Sequence, residues 1–273
     1  VQAGGNEAWF ARLRDPAVRQ RVAAEMRAPD AGWENIMQMS GGPEQVLLAV
    51  LRNPALKPLI GKTLAEVAKE RGVTAEDAAM DLVIEDESRV GAIYFLMSED
   101  NVRREIALPY MSFGSDGTAV SAEGVFLKSN LHPRGYGNFA RVFARYVRDE
   151  KLLTIEEAVR RMTAQPAAVL GLRDRGQLKP DYYADVVVFD PATIQDHATY
   201  AAPHQYATGV SDVIVNGVEA LRDGEPTAAR PGRVVRGRGW TGWSDGGCRA
   251  SPAEWELQFW GPADWEGARK TPG

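Results

Sequence analysis

The chain has 273 residues, of which 44% are apolar and 25% are charged. This composition is typical of a soluble protein with a packed core, and it excludes disorder as the dominant state. The formal net charge is −5 and there is no basic cluster, which excludes a nucleic-acid binder that neutralises phosphates. The longest uninterrupted apolar stretches, residues 46–51 and 92–97, are too short to span a membrane.

Metal and disulfide chemistry are limited by the residues available. The single cysteine, Cys248, excludes an internal disulfide framework and a metal site built from cysteines alone. The histidines are His132, His197 and His204, and no two have the spacing that presents both to one metal ion from one helix or strand. We therefore expect no self-contained zinc site.

The first hundred residues carry repeated signals for the start of a helix. Each is a short polar side chain that can accept a hydrogen bond from the N–H groups of the first turn. The signals are Asp15 before Pro16, Thr63 with Glu66, Thr74 with Asp77, and Ser98. Residues 91–97 are apolar and partly aromatic, which predicts a buried strand.

The middle of the chain continues this alternation. Residues 109–113 predict a second short strand, and residues 139–149 predict a helix. Thr154 and Glu157 form the clearest capping box, opening a helix that we expect Pro166 to stop. Pro166 should also start a short turn of helix that ends at Gly171.

From about residue 172 the pattern becomes that of a β structure. Residues 184–190 predict a strand, and residues 213–220 predict a hairpin because Asn216-Gly217 suits a type I′ turn. Residues 232–236 add one more candidate strand.

The last segment, from about residue 237, has no usable period. It is either a tryptophan-rich binding tail or an unstructured extension, and its Gly and Pro content favours the second. Five tryptophans lie there: Trp240, Trp243, Trp255, Trp260 and Trp265.

Gly114-Ser115-Asp116-Gly117 is the most suggestive motif for chemistry. A carboxylate directly after a buried strand lies at the strand's C-terminal end, where parallel α/β barrels carry out catalysis. The alternative is an ordinary turn, since Gly, Ser and Asp are common turn residues, and composition alone favours the turn.

A second cluster combines a histidine, an arginine and an aromatic residue in His132-Pro133-Arg134-Gly135-Tyr136-Gly137. Arg134 could bind a substrate carboxylate through its planar guanidinium, or it could be solvated or salt-bridged at a helix entrance. His132 is either a hydrogen-bonded structural residue or a ligand.

Other polar residues indicate no chemistry. His197 and His204 are expected to be structural or at the surface. The adjacent carboxylates at positions 85–87 are interpreted as a solvated face.

Several segments occur together and in one order. They are Ser115-Asp116-Gly117, His132-Pro133-Arg134 with Tyr136-Gly137, residues 145–148, 158–163, Gly176 with residues 184–190, and residues 213–217. In this arrangement the chain resembles the C-terminal half of the N-acyl-D-amino-acid deacylase (D-aminoacylase) family, a branch of the metal-dependent amidohydrolase superfamily. The resemblance covers residues 6–236, and its His-Pro-Arg-x-Tyr-Gly element is typical of the D-aminoacylase branch.

The resemblance implies an α/β fold, namely the C-terminal part of a (β/α)8 TIM-type barrel with a small β-sandwich. It implies zinc as cofactor and hydrolysis of the amide of an N-acyl-D-amino acid. Asp116 would end the eighth barrel strand, contact the metal and act as the catalytic carboxylate. Arg134 would bind the substrate's α-carboxylate, and residues 33–87 would include a lid over the site.

The sequence departs from the family at its metal ligands. The His-x-His pair, the bridging Cys or Glu and the two later metal-binding histidines are absent. A (β/α)8 barrel needs eight strands, and this chain predicts two. We therefore expect a truncated chain in which a missing N-terminal half or a partner polypeptide completes the barrel.

These observations predict three regions: residues 1–170 as barrel with lid, 171–236 as β-sandwich, and 237–273 as a disordered tail. The expected substrate is a small N-acyl-amino acid in the cytoplasm, with no nucleic-acid or membrane partner. A dihydroorotase- or hydantoinase-like cyclic amide hydrolase is the alternative enzyme. The non-enzymatic alternative is a fragment that acts as a binding module.

Overall fold

The computed structural model describes residues 3–29, 32–128 and 130–237. The chain divides into two compact units, Val1–Arg233 and Val234–Gly273, and nearly all described residues belong to the first. The tail predicted at residues 237–273 lies almost entirely outside the described residues. The three-region division predicted from the sequence stays a prediction.

Helices and short strands alternate in the first unit, and no helix in the described ranges is long and apolar enough to cross a membrane. A π-helical segment, Val142–Asp149, continues α7. The helices are α1 Gly5–Arg14, α2 Pro16–Arg27, α3 Ile36–Met39, α4 Leu64–Arg71, α5 Ala75–Glu85, α6 Glu99–Ile106, α7 Arg134–Arg141, α8 Ile155–Met162 and α9 Ala164–Leu170; the strands are β1 Val46–Val50, β2 Gly91–Tyr94, β3 Val186–Phe189, β4 Val210–Val215, β5 Val218–Arg222 and β6 Glu225–Pro226.

Most of the helix starts predicted from the sequence are confirmed. Asp15 accepts hydrogen bonds from the first turn of α2, and Thr63 and Glu66 form a reciprocal capping box at α4. At α8 only half of the expected box forms. Thr154 accepts from the Glu157 backbone, while the Glu157 side chain binds Arg160 instead of turning back.

The end of α8 differs from the prediction. The helix ends at Met162, and Thr163 (φ −130°, ψ −82°) separates it from α9. Pro166 lies in the first turn of α9. N–H groups in the first turn have no acceptor within the helix, so a proline there costs no helical hydrogen bond. The predicted short helix ending at Gly171 is therefore confirmed, while α8 stops at Met162, before the proline is reached.

The second half of the unit contains an antiparallel sheet in the order β3-β4-β5-β6. The predicted hairpin is confirmed, with positive φ at Asn216 (51°) and Gly217 (79°). Residues 232–236, predicted as a further strand, are not a strand, and β6 supplies the last strand of the sheet instead.

The two strands expected to be parallel barrel strands behave differently. Within residues 91–97 the strand is limited to β2, which is partly buried. It pairs with β1 in the antiparallel direction. Residues 109–113 form no strand. In the described structure this segment has no neighbouring strand to bond with, so the expectation of two parallel strands was wrong.

Side chains take the place of a neighbouring strand along this segment. Arg161 donates to the Ile106 carbonyl at 2.6 Å, and Arg160 donates to the Pro109 carbonyl at 2.9 Å. Gln165 donates to the Tyr110 carbonyl at 2.6 Å. The Ile106 carbonyl is buried and needs such a partner, whereas the other two contacts are exposed; α8 and α9 provide all three donors.

The apolar core consists of separate clusters. One surrounds β1, α4 and α5, within residues 33–87, and includes Leu48, Leu51, Val67 and Leu82. Another packs the α7 and π-helical segment against α8 and residue Ile194, which belongs to the β3–β4 connection. The role of residues 33–87 as a lid stays a prediction.

Asp86 corrects the interpretation of residues 85–87 as a solvated face. Its side chain is fully buried, while Glu85 and Glu87 are exposed. One carboxylate oxygen accepts from the backbone N–H of Arg52 at 2.8 Å and of Asn53 at 2.6 Å. Asp86 therefore attaches the segment after β1 to the end of α5.

We expect Asp86→Ala to lower the free energy of unfolding by about 2–4 kcal/mol, because it leaves two buried N–H groups without an acceptor. Asp86→Asn keeps one acceptor oxygen and should cost less. Urea unfolding followed by circular dichroism measures both.

Glu87→Ala is the matched control, since the Glu87 carboxylate is exposed and only pairs with Arg89 at 3.0 Å. It should change stability by less than about 1 kcal/mol. Equal unfolding midpoints for Asp86→Ala and Glu87→Ala would contradict the assigned role.

Candidate functional site

The structure brings together the two site residues that the sequence analysis selected separately. The Arg134 guanidinium lies 2.8 Å from the Asp116 carboxylate. The Asp116 side chain is 90% exposed and that of Arg134 is 40% exposed. The pair is therefore open to solvent and available to a ligand.

A tight backbone contact positions this pair. A Cβ atom added to Gly117 would lie 3.2 Å from Gly135 Cα and 3.3 Å from its nitrogen. The loop carrying Asp116 therefore touches the first turn of α7, which carries Arg134. Gly114, at the other end of the motif, has open space around it.

The motif at residues 114–117 lies in an irregular loop that has local features of a turn. Asp116 has a positive φ of 46°, and the Gly117 N–H donates to the Ser115 hydroxyl at 3.2 Å. A positive φ typical of turn residues and a carboxylate directed at Arg134 are both present. The two interpretations of the motif do not exclude each other.

His132 is engaged at both ring nitrogens. Nδ1 accepts a hydrogen bond from the Arg134 backbone N–H at 3.1 Å, and Nε2 lies 3.4 Å from the Tyr200 hydroxyl. The two rings meet edge to face at 5.2 Å. Burial lowers the pKa of His132 and the Arg134 charge lowers it further, against an opposing effect of Asp116.

Tyr136 of the predicted cluster and Tyr206, which the sequence analysis did not select, hold the loop after Asp116. The Tyr136 hydroxyl donates to the Ser121 carbonyl at 3.1 Å, and the Ala122 N–H donates to the Tyr206 hydroxyl at 2.8 Å. The ring of Tyr136 packs edge to face against Tyr206 and His204. Burial, and then the neighbouring Tyr206, raise the pKa of Tyr136.

The β3–β4 connection packs closely on α7. A Cβ atom on Gly137 would lie 2.7 Å from Asp196 Cβ, so glycine is required for this approach. Arg141 pairs with Asp196 at 3.1 Å, and Arg148 donates to the Ile194 carbonyl at 2.7 Å. The helix that carries Arg134 is thus bound to the β-rich part of the unit.

A cleft of about 580 Å³ opens beside Arg134. Its wall combines cations, carboxylates and apolar side chains, a mixture suited to a small amphipathic anion. Within it the Tyr146 hydroxyl donates to Glu99 at 2.7 Å, and burial together with this bond raises the pKa of Tyr146. The charged lining residues are Glu99, Glu105, Arg134, Arg141 and Asp196, and His132 and Asn138 are among the polar ones.

The described residues do not fit a metal centre by themselves. No group of three His, Cys, Asp or Glu side chains within those ranges could hold a metal ion. His197 binds Thr208 at 2.9 Å and His204 binds the Phe126 carbonyl at 3.0 Å, as expected for structural histidines. Asp116 could offer one carboxylate to a metal, but here it faces Arg134.

Comparison with protein families decides the class of protein. Residues 50–220 match the family model described as the Amidohydrolase family, which is more than half of the chain. The chain belongs to the amidohydrolase family. The resemblance identified from the sequence motifs is thereby confirmed.

Individual amidohydrolases are similar to this chain over part of their length. N-acyl-D-glutamate deacylase of Alcaligenes xylosoxydans xylosoxydans is 45% identical over 176 residues, which are 64% of this chain and 33% of that protein. A crystal structure of D-aminoacylase is 40% identical with a TM-score of 0.58, and the match covers 69% of this chain and 37% of that one.

A third relative is a crystal structure of N-acyl-D-glutamate deacylase from Bordetella bronchiseptica, complexed with zinc and a phosphonate mimic of the tetrahedral intermediate. It is 38% identical with a TM-score of 0.58, covering 69% of this chain and 38% of that one. The chain has the α/β amidohydrolase fold of these structures over the matched part. It spans about a third of the length of the curated relatives it matches.

We expect Gly117→Ala to destabilise the protein by about 1–3 kcal/mol, because the added methyl group would push the Asp116 loop away from α7. Gly114→Ala, at the open end of the same motif, should cost less than about 1 kcal/mol. Chemical denaturation gives both values. Amide NMR shifts at Gly135 should change in the first variant alone, and equal shifts in both variants would refute the contact.

Proposed function

We propose that the chain is part of a metal-dependent amidohydrolase that cleaves the amide bond of N-acyl-D-amino acids. The observation that carries the proposal is the contact of Asp116 with Arg134 at 2.8 Å. In this contact the Asp116 carboxylate can transfer protons, and the Arg134 guanidinium can bind a substrate carboxylate. The similarity to N-acyl-D-amino-acid deacylases supports this assignment.

Arg134 would bind the α-carboxylate of the substrate. Its guanidinium is partly exposed at the cleft, and its present partner is a fully solvated aspartate. Surface ion pairs of this kind contribute little to stability, so a substrate carboxylate can replace Asp116 at modest cost. A bidentate contact with the planar guanidinium also fixes the orientation of the substrate.

Asp116 would move protons during hydrolysis. Amide cleavage needs a base for the attacking water and an acid for the departing amine, and one carboxylate can serve both in turn. When the substrate carboxylate occupies Arg134, the Asp116 carboxylate becomes free next to the bound substrate. The short side chain keeps that carboxylate at the surface of the loop, where it is 90% exposed.

Zinc would need ligands from outside the described part of this chain, since these residues alone do not form a metal centre. We propose that an additional polypeptide segment supplies them and covers the unpaired segment at residues 109–113. Such a segment could also cover large apolar side chains that are exposed here, namely Tyr94, Leu96, Met97 and Tyr110. The cytoplasmic location stays a prediction from the sequence.

Two alternatives are less well supported. A cyclic amide hydrolase is less well supported because the similarity to dihydroorotases covers 52 residues, against 176 residues for the N-acyl-D-glutamate deacylase. A non-catalytic binding module would keep Arg134 but give no reason for Asp116. Substitution of Asp116 therefore separates enzyme from binding module.

The test uses a chimera in which this chain replaces the matched third of the Alcaligenes N-acyl-D-glutamate deacylase. We expect zinc-dependent release of the amino acid from N-acetyl-D-glutamate and not from the L-enantiomer. Asp116→Asn should lower kcat at least about a hundredfold, because it removes the proton acceptor at constant size. Failure of the chimera to hydrolyse any N-acyl-D-amino acid while binding zinc would contradict the proposal.

Asp181→Asn is the matched control for Asp116, since Asp181 is also exposed with a positive φ of 67°. It should leave kcat unchanged. Equal kcat values for the two Asn variants would make residues 114–117 a turn without a catalytic role.

Arg134→Ala should raise KM strongly and leave the zinc content unchanged, because it removes the partner of the substrate carboxylate. Arg134→Lys should rescue poorly, since an ammonium group lacks the planar pair of donors. Arg173→Ala, at an exposed position, is the control. Steady-state kinetics measure KM, and an unchanged KM in both Arg134 variants would exclude the carboxylate role.

A further inference from the structure

The first turn of α7 has an unusual hydrogen-bond acceptor. The N–H groups of the first turn of a helix have no partner within the helix. At α7 the N–H of the first residue, Arg134, donates to His132 Nδ1 at 3.1 Å. Pro133 lies between them, and its side chain provides no cap.

The acceptor role of Nδ1 fixes the protonation of the ring. A neutral imidazole has one N–H, so an Nδ1 that accepts requires the hydrogen on Nε2. Nε2 lies 3.4 Å from the Tyr200 hydroxyl, which can accept this hydrogen. The Tyr200 ring packs between His132 at 5.2 Å and Phe95 at 4.8 Å, which holds the imidazole in place.

We propose that His132 is a positioning residue for Arg134. Its imidazole, in the Nε2–H tautomer, caps α7 and fixes the backbone from which the Arg134 side chain reaches the cleft. This inference rests on the proposed function for the role of Arg134 towards a substrate carboxylate. It gives His132 a task in the site without making it a metal ligand, because both ring nitrogens are already engaged.

Substitution at position 132 separates capping from bulk. Asparagine can accept a hydrogen bond from the N–H two residues later, as in an Asx turn, so His132→Asn should keep the cap. His132→Ala removes the acceptor and should leave the Arg134 N–H unsatisfied. Rescue by Asn is not expected if the ring only fills space.

The experiment uses the full ¹⁵N-labelled chain without substrate or metal. Long-range ¹H–¹⁵N spectra should show the Nε2–H tautomer for His132, assigned by the signals lost in His132→Asn. Hydrogen exchange of the Arg134 amide should be about fivefold faster in His132→Ala, as for a lost N-terminal cap. In His132→Asn it should stay within about twofold of the parent chain.

His197→Ala is the control, since His197 binds Thr208 and has no contact with α7 among its hydrogen bonds. It should leave Arg134 exchange unchanged. An Nδ1–H tautomer in the parent chain, or equal exchange in the parent, Ala and Asn forms, would overturn the proposal. These measurements need no catalysis, so they stand or fall separately from the deacylase activity of the chimera.

Discussion

Hydrogen bonds from side chains to backbone carbonyl groups hold the segment ahead of Asp116. Residues 106–112 lack a neighbouring strand in the described structure, and Arg160, Arg161 and Gln165 supply the donors. Hydrogen bonds from Arg160 and then Arg161 lower the pKa of Glu157 to about 2, so the cluster keeps its charges at neutral pH. The location of Asp116 therefore depends on helices that follow it in the sequence.

The same principle links the site to the β-rich part of the unit. The β3–β4 connection contacts α7 through Gly137 and Asp196, and it provides Tyr200 and Tyr206 to the loops around the site. Neither aromatic residue performs chemistry in the proposed reaction. Each forms a hydrogen bond with a polar group on one of these loops, the His132 ring for Tyr200 and the Ala122 N–H for Tyr206.

Local signals in the sequence were sufficient for much of the fold. Caps such as Thr63 and the turn at Asn216-Gly217 act within four residues, so they can be recognised without knowing the tertiary structure. The antiparallel pairing of β1 with β2 joins segments more than forty residues apart, and no local signal indicates it. Asp116 and Arg134 were found through their motifs, whereas Tyr200 and Tyr206 lie in an irregular loop whose only signal is a concentration of aromatic residues and histidines.

The backbone conformation of Asp116 limits which residues evolution or an experimenter can place there. With φ at 46°, only glycine, asparagine and aspartate are accommodated readily, and β-branched or bulky residues are disfavoured. An alanine scan would therefore report conformational strain at this position together with the loss of the carboxylate. In a library of natural or random variants, the tolerated replacements at position 116 should be few for a steric reason, even where no catalysis is selected.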